Sequence, residues 1–140
     1  MQSFIERYGA KLVDSILTHL KYVGISVGVG FVIALILGIL LSRVPQISKF
    51  ILPVISLFQT IPGLVFIGVL FIYIGIRPAT IIIALSIYAI FPILKNTYTG
   101  ILSVDPKLKE AARGCGMNNF QILYKVELPM AMNSIFSGVR

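Results

Sequence analysis

The chain has 140 residues, 57% of them hydrophobic and 12% charged, with a mean hydropathy of +0.96. That length bounds it to one domain, and that apolarity excludes an ordinary soluble one. The net charge of +7 does not indicate nucleic acid, because the basic residues gather at the ends of long uncharged stretches, where they set membrane topology.

Phe4, Tyr8, Leu12, Ile16 and Leu20 recur at every fourth position with polar groups between them. This is the pattern of an amphipathic helix lying at a membrane interface over residues 1–21. Glu6 and Asp14 interrupt the segment and no cleavage site follows, so it is not a secretory signal. His19, the single histidine, has no companion ligands for a metal and reads as an interfacial residue.

Three stretches then avoid charge long enough to cross a bilayer core, which takes about 20 apolar residues per helix. The first, near 22–42, carries Ser26, Gly30, Ala34, Gly38 and Ser42 at steady spacings of four, with Gly24 and Gly28 as an added GxxxG pair. Small residues in a row let a neighbouring helix approach closely. The stretch "SRVPQISK" makes a short basic inner turn. The second, near 50–76, is too long for one straight span, and "FQTIPG" sits in its middle. Pro62 cannot donate to the helix ladder and clashes with the preceding turn, so a kink or break is predicted there. Gln59 and Thr60 either satisfy the groups freed by the break or line a path.

"IGIRP" forms a tight outer turn, with Pro78 placed to open the third span, near 78–102. Lys95 lies near its inner end, where a lysine snorkels to the interface. Asn96, Thr97, Tyr98 and Thr99 either lie at the interface or face a conduit. Gln59, Thr60, Pro62, Asn96 and Tyr98 are the candidates for a translocation path. With Arg43, Lys49, Lys95, Lys107, Lys109, Arg113 and Lys125 inside, only Arg7, Lys11, Lys21 and Arg77 lie outside. The bias of Lys and Arg places the N-terminus outside the cell.

The segment 104–128 is different in kind: "VDPKLKEAARGCGMNNFQ" packs charges, glycines and asparagines between apolar runs. Asp105-Pro106 is an N-cap carboxylate followed by proline at the first helical position. Good helix formers run from Lys107 to Arg113, and Gly114 and Gly116 stop them. Asn118 with Gln121 has the spacing of a capping box, predicting a second short helix over 119–127 that Leu128-Pro129 ends before a new apolar segment, 129–140. The lone Cys115 allows no internal disulfide and reads as a small residue between glycines. A two-turn helix is marginal alone, so something must hold this one. Ala111 and Ala112, edged by Glu110 and Arg113, form a small charged-rimmed knob that either suits a partner's groove or belongs to a merely solvated loop.

"EAARGCGMNNFQILYKVELP" resembles the EAA signature of ABC importer permeases: E-A-A, three residues, G, nine residues, an aliphatic, one residue, L-P. Glu110, Ala111, Ala112, Gly116, Leu128 and Pro129 match, and Val126 stands where isoleucine is usual. "FQTIPG", "IFPILKNTYTGI" and "VDPKLKEAARGCGM" are similar to the osmoprotectant branch, which imports glycine betaine, carnitine, choline and related quaternary amines. The resemblance implies an all-α, polytopic transmembrane domain of the type I importer kind, of which this chain carries about three spans, the coupling loop and the start of a fourth. It implies that Glu110, Ala111, Ala112, Arg113, Gly114, Gly116 and Met117 contact a cytoplasmic ATP-binding subunit. ATP and magnesium would sit on that subunit, with no cofactor in this chain. The further partners implied are a second permease copy or paralogue, an extracytoplasmic binding protein or fused binding domain, and the lipid of a bacterial inner membrane. The eleven residues after Pro129 are too few to span, so the remaining helices are expected on a longer chain or on another one.

An enzyme is not indicated, since no G-x-x-x-x-G-K-[ST] loop is present to bind ATP. The alternatives are a permease for another small solute such as an amino acid, a secondary transporter or channel, and a membrane scaffold. The second is disfavoured because no paired carboxylates fall within a span.

Overall fold

Residues 2–140 are described in the computed structural model of the chain, with side chains from Tyr8 onward; Met1 and the side chains of residues 2–7, Phe4 of the amphipathic pattern among them, lie outside the described residues. Every regular element among the described residues is helical.

The first helix, α1, runs unbroken from Gln2 to Arg43. The expected boundary between an interfacial helix and a span at residues 21 and 22 does not exist in the backbone. Lys21-Tyr22-Val23 offers neither a proline nor a capping side chain, and extending a helix is far easier than nucleating another. At about 1.5 Å per residue, α1 is about 63 Å long, roughly twice the thickness of a bilayer core. Of its N-terminal apolar ladder, Leu12, Ile16 and Leu20 are exposed along the chain. From Tyr8 on, α1 is long and apolar enough to cross a membrane, and so is α4, Pro78–Leu102.

Between them lie α2, Pro45–Phe58, and α3, Gly63–Ile74. Only Val44 separates α1 from α2, so most of the expected inner turn is already helix, opened by Pro45 at its first position. The uncharged stretch 50–76 is not one straight helix. It breaks at Gln59–Pro62, as Pro62 requires, and the two arms diverge by 93°. Thr60 and Ile61 N–H close the end of α2 on the carbonyls of Leu57 and Phe58, while Pro62 O accepts from Val65 and Phe66 to start α3. At about 21 and 18 Å, neither arm alone crosses a core of about 30 Å. The turn between α3 and α4 is closed by Thr80 Oγ1 donating to Gly75 O at 2.8 Å. Gly75 has φ +88°, a left-handed conformation that a side chain resists.

The helices α5, Pro106–Gly114, and α6, Asn119–Ile122, follow α4. A single π turn, Leu123–Glu127, then joins α6 to α7, Leu128–Val139. The expected stop at Leu128-Pro129 is absent, and the chain is helical from 119 to 139. Widening the ladder is what admits the proline: Leu128 N–H bonds to Leu123 O, five residues back, and Pro129 enters at the start of a fresh α segment, where it has no N–H to satisfy.

The centre of the molecule is α4, with α1 parallel to it on one side. Ser26, Gly30, Ala34 and Gly38 are all buried in that seam. A Cβ at Gly30 would lie 2.9 Å from Ser86 O, and one at Gly38 would lie 2.7 Å from Thr97 Cβ. Ser26 Oγ donates across the seam to Ile82 O at 3.2 Å. Ser86 Oγ and Thr97 Oγ1 are buried there without hydrogen-bond partners, so their small size matters more to the seam than their polarity. The second small pair, Gly24 and Gly28, meets nothing within 4 Å. On the other side α7 runs antiparallel, with Gly100 against Ala131 and Ser134, and Gly138 against Pro92 and Ile93.

Because these contacts leave no room for a methyl, Gly38→Ala should lower the thermal midpoint in detergent by the equivalent of about 1–3 kcal/mol. Gly28→Ala, which meets open space, should leave the midpoint unchanged or raise it slightly.

Candidate functional site

The loop over residues 104–128 folds much as its capping residues dictate. Asp105 Oδ1 accepts from Lys107 N–H at 2.9 Å and opens α5. At the other end Gly116, with φ +79°, lets the chain reverse. Its N–H bonds to Arg113 O at 2.9 Å, and Met117 N–H bonds to Ala112 O at 3.1 Å, the paired bonds of a Schellman stop. Asn118 Oδ1 then accepts from Gln121 N–H at 2.8 Å while Gln121 Oε1 accepts from Asn118 N–H at 2.9 Å. The expected capping box is present.

Within α5, Glu110, Ala111, Arg113 and Gly114 are exposed, as is Gly116 beyond it. Among the described residues no ion pair holds Glu110 or Arg113. Ala112 is buried and Met117 half-buried, so the two-alanine knob is halved. Adjacent helical residues differ by about 100° in direction, and Ala112 is the one that meets its own chain. Cys115 is exposed.

What holds this short helix is an ion-pair node that sequence reasoning missed. Glu127, on the π turn, is 1% exposed. Its carboxylate accepts from both terminal nitrogens of Arg43, at the end of α1, with Nη1 at 3.2 Å from Oε1 and Nη2 on Oε2. Lys109 Nζ of α5 lies 3.0 Å from Oε1 of the same carboxylate and also donates to Ile101 O at 3.3 Å, in the last turn of α4. The π turn is what brings Glu127 there. Buried positions along this rod are 122, 127, 131, 135 and 138. The five-residue step falls in the π turn; an α continuation would have carried the line to Val126 instead. Arg43, Lys109 and Glu127 were legible only as topology charges and a helix end. The signal was a single acid beside Leu128-Pro129, since a carboxylate between apolar residues requires a partner.

Burial pushes the Glu127 carboxyl up, but the hydrogen bonds from Arg43 and Lys109, with the charges of both, more than offset it and hold the group below its ordinary value. A carboxyl that ionises at lower pH when folded stabilises the fold above its unfolded pKa, and that contribution is lost as pH falls through the folded value.

The candidate path residues are not brought together. Gln59, half-buried, caps α2, and Pro62 is the residue before α3. Thr60 is exposed and donates to Leu57 O at 2.7 Å. Tyr98 Oη lies 3.1 Å from Ser48 Oγ, facing α2. Asn96 Nδ2 would lie 3.0 Å from a Cβ on Gly138, facing α7. No three His, Cys, Asp or Glu side chains converge as metal ligands among the described residues.

The profile of the family described as binding-protein-dependent transport system inner membrane component matches residues 30–140, which take in most of the seam, the bent helix pair and the whole loop over 104–128. The chain belongs to this family. Among its similar proteins in this inner membrane component family is a carnitine transport permease protein of Listeria monocytogenes, 37% identical over 138 residues, 99% of this chain and 63% of that protein. A glycine betaine/carnitine/choline transport system permease protein of Bacillus subtilis is 38% identical over 109 residues, 78% of this chain and 48% of the relative. A choline transport system permease protein of the same organism is 32% identical over 140 residues, 100% of this chain and 62% of the relative. The chain thus spans less than two thirds of the length of each. Like these permeases it is a multi-pass membrane protein.

Two outcomes follow from this geometry. Gly116→Ala should cost about 1–2 kcal/mol for its left-handed residue and speed hydrogen exchange over 106–117, whereas Gly114→Ala, helical and meeting nothing within 4 Å, should not. In thermal melts against pH, wild type should exceed Glu127→Gln at neutral pH, and the gap should close on acidification as pH falls from the ordinary glutamate range through the lowered folded value.

Proposed function

We propose that this chain is the membrane-spanning part of a permease subunit of an ATP-driven importer for small quaternary amines of the glycine betaine, carnitine and choline class. In this reading α5 docks on a cytoplasmic ATP-binding subunit, which holds ATP and magnesium and performs hydrolysis. An extracytoplasmic binding protein or fused binding domain delivers the solute, and a second permease copy or paralogue completes the path. The orientation follows from the basic residues: α5 lies inside and the N-terminus outside, in a bacterial inner membrane.

The observation that carries this reading is α5 itself. It is a separately capped helix that presents Glu110, Ala111, Arg113 and Gly114 to solvent and bears two charges without ion pairs among the described residues. A solvated loop has no need of a cap at one end, a Schellman stop at the other and a buried anchor beneath. A docking element needs all three, because it must arrive at its partner already ordered. The names of the relatives supply the solute class.

The test is ATP hydrolysis in liposomes holding the full chain, its ATPase subunit and the binding protein, titrated with betaine, carnitine, choline and unrelated amino acids. One quaternary amine should stimulate hydrolysis, and Glu110→Arg should abolish at least about tenfold of that stimulation without altering membrane insertion. Stimulation by an amino acid alone would keep the importer and discard the solute class.

A further inference from the structure

We propose that Glu127 is the positioning residue that transmits displacement of α5 to the spans, through a charge clamp that keeps α5, α1 and α4 moving together. The proposal rests on the docking role of α5 argued above and names the link through which that role reaches the membrane helices.

Three observations carry it. The first is connectivity. One carboxylate meets Arg43 at the end of α1 and Lys109 in the middle of α5, and the same ammonium reaches Ile101 O at the end of α4. The end of α1 and the middle of α5 thus meet on one carboxylate, and Lys109 ties the last turn of α4 to the same node. The second is burial. Glu127 is 1% exposed, while Lys109 is 22% and Arg43 45% exposed at the side chain. Separating either cation would leave the buried carboxylate with only one of its two partners, so α5 does not slide freely past α1. The third is the backbone. The π turn at Leu123–Glu127 takes an uncommon helical form that turns Glu127 rather than Val126 into the core line. Such turns recur where a side chain must be re-aimed for a task.

The clamp also explains which face of α5 is free. Lys109 and Ala112, three residues apart, share the inward face, and the exposed residues Glu110, Ala111 and Arg113 are left for a partner. A push on the outer face is thereby delivered, through Lys109, to Glu127 and on to Arg43.

The experiment uses the whole transporter in liposomes, with Cys115→Ser as background and spin labels at Val44→Cys and Lys107→Cys, flanking the clamp. Wild type, Glu127→Gln, Glu127→Asp and Lys109→Met are compared for co-purification of the ATPase subunit, basal and solute-stimulated hydrolysis, and label distance without nucleotide and in an ATP-trapped state. In wild type the distance should be the same in both states. Glu127→Gln and Lys109→Met should broaden it and reduce solute stimulation by about tenfold, with co-purification and basal hydrolysis unchanged, and Glu127→Asp should recover part of the stimulation. If Glu127→Gln does not fold, Lys109→Met decides, because it leaves the Arg43 pair intact. A folded variant with wild-type stimulation overturns the proposal, as does an equal fall in basal and stimulated hydrolysis, the mark of a mere structural staple. A wild-type chain that does not retain the ATPase subunit overturns the docking role and this proposal together; a retained subunit with indifferent variants overturns this proposal alone.

Discussion

In a bilayer the lipid is as apolar as leucine, so helices do not associate to escape water. They associate where backbones can come close. The seam of α1 on α4 meets that constraint with Gly30, Ala34 and Gly38 on one helix and Ser86, Ala89 and Thr97 on the other. Nearly everything else in the molecule is placed by reference to this seam. Once α1 and α4 lie parallel, Arg43 and the last turn of α4 end at the same level. The inner loop then has a fixed floor to fold on, and α7 can return along the other side of α4.

The floor is ionic where the seam is steric. A buried carboxylate is unfavourable unless both its oxygens are matched, and here Arg43 meets both while Lys109 shares Oε1. Such a node contributes little net stability over an apolar replacement, yet removing one partner is costly, of the order of 3–5 kcal/mol. That asymmetry gives the node specificity: it fixes how α5 sits on the spans. The contrast with the surface of α5 is one of role. Charges beneath the helix are paired and buried, while Glu110 and Arg113 are left outward.

Much of this was legible beforehand because it is local. The cap at Asp105, the stop at Gly116, the box at Asn118 and Gln121, the break at Pro62 and the start at Pro78 each depend on a few adjacent residues. The stripe of small residues was legible because a period of four survives as one face of a helix. What was not legible depended on neighbours far along the chain or on an absence. No residue announced that α1 would continue through Lys21 and Tyr22; a boundary was inferred from a change of pattern that the backbone does not feel. The continuation through Leu128-Pro129 required a π turn, which has no sequence signature of its own.

The sequence by itself determined that the chain is a helical membrane protein and where most of its helices are capped or broken. Those properties follow from hydropathy and short-range backbone chemistry, both readable over one or two turns. Only the tertiary structure decided which small residues pack and which remain open, since Gly30 and Gly28 are the same residue facing different neighbours. Only it turned Ala112 inward and Ala111 outward, separated Asn96 from Tyr98, and joined Arg43 to Glu127 across 84 positions of chain. A charge pair at that separation leaves no periodic trace, because its two members are brought together by helices whose packing is decided elsewhere.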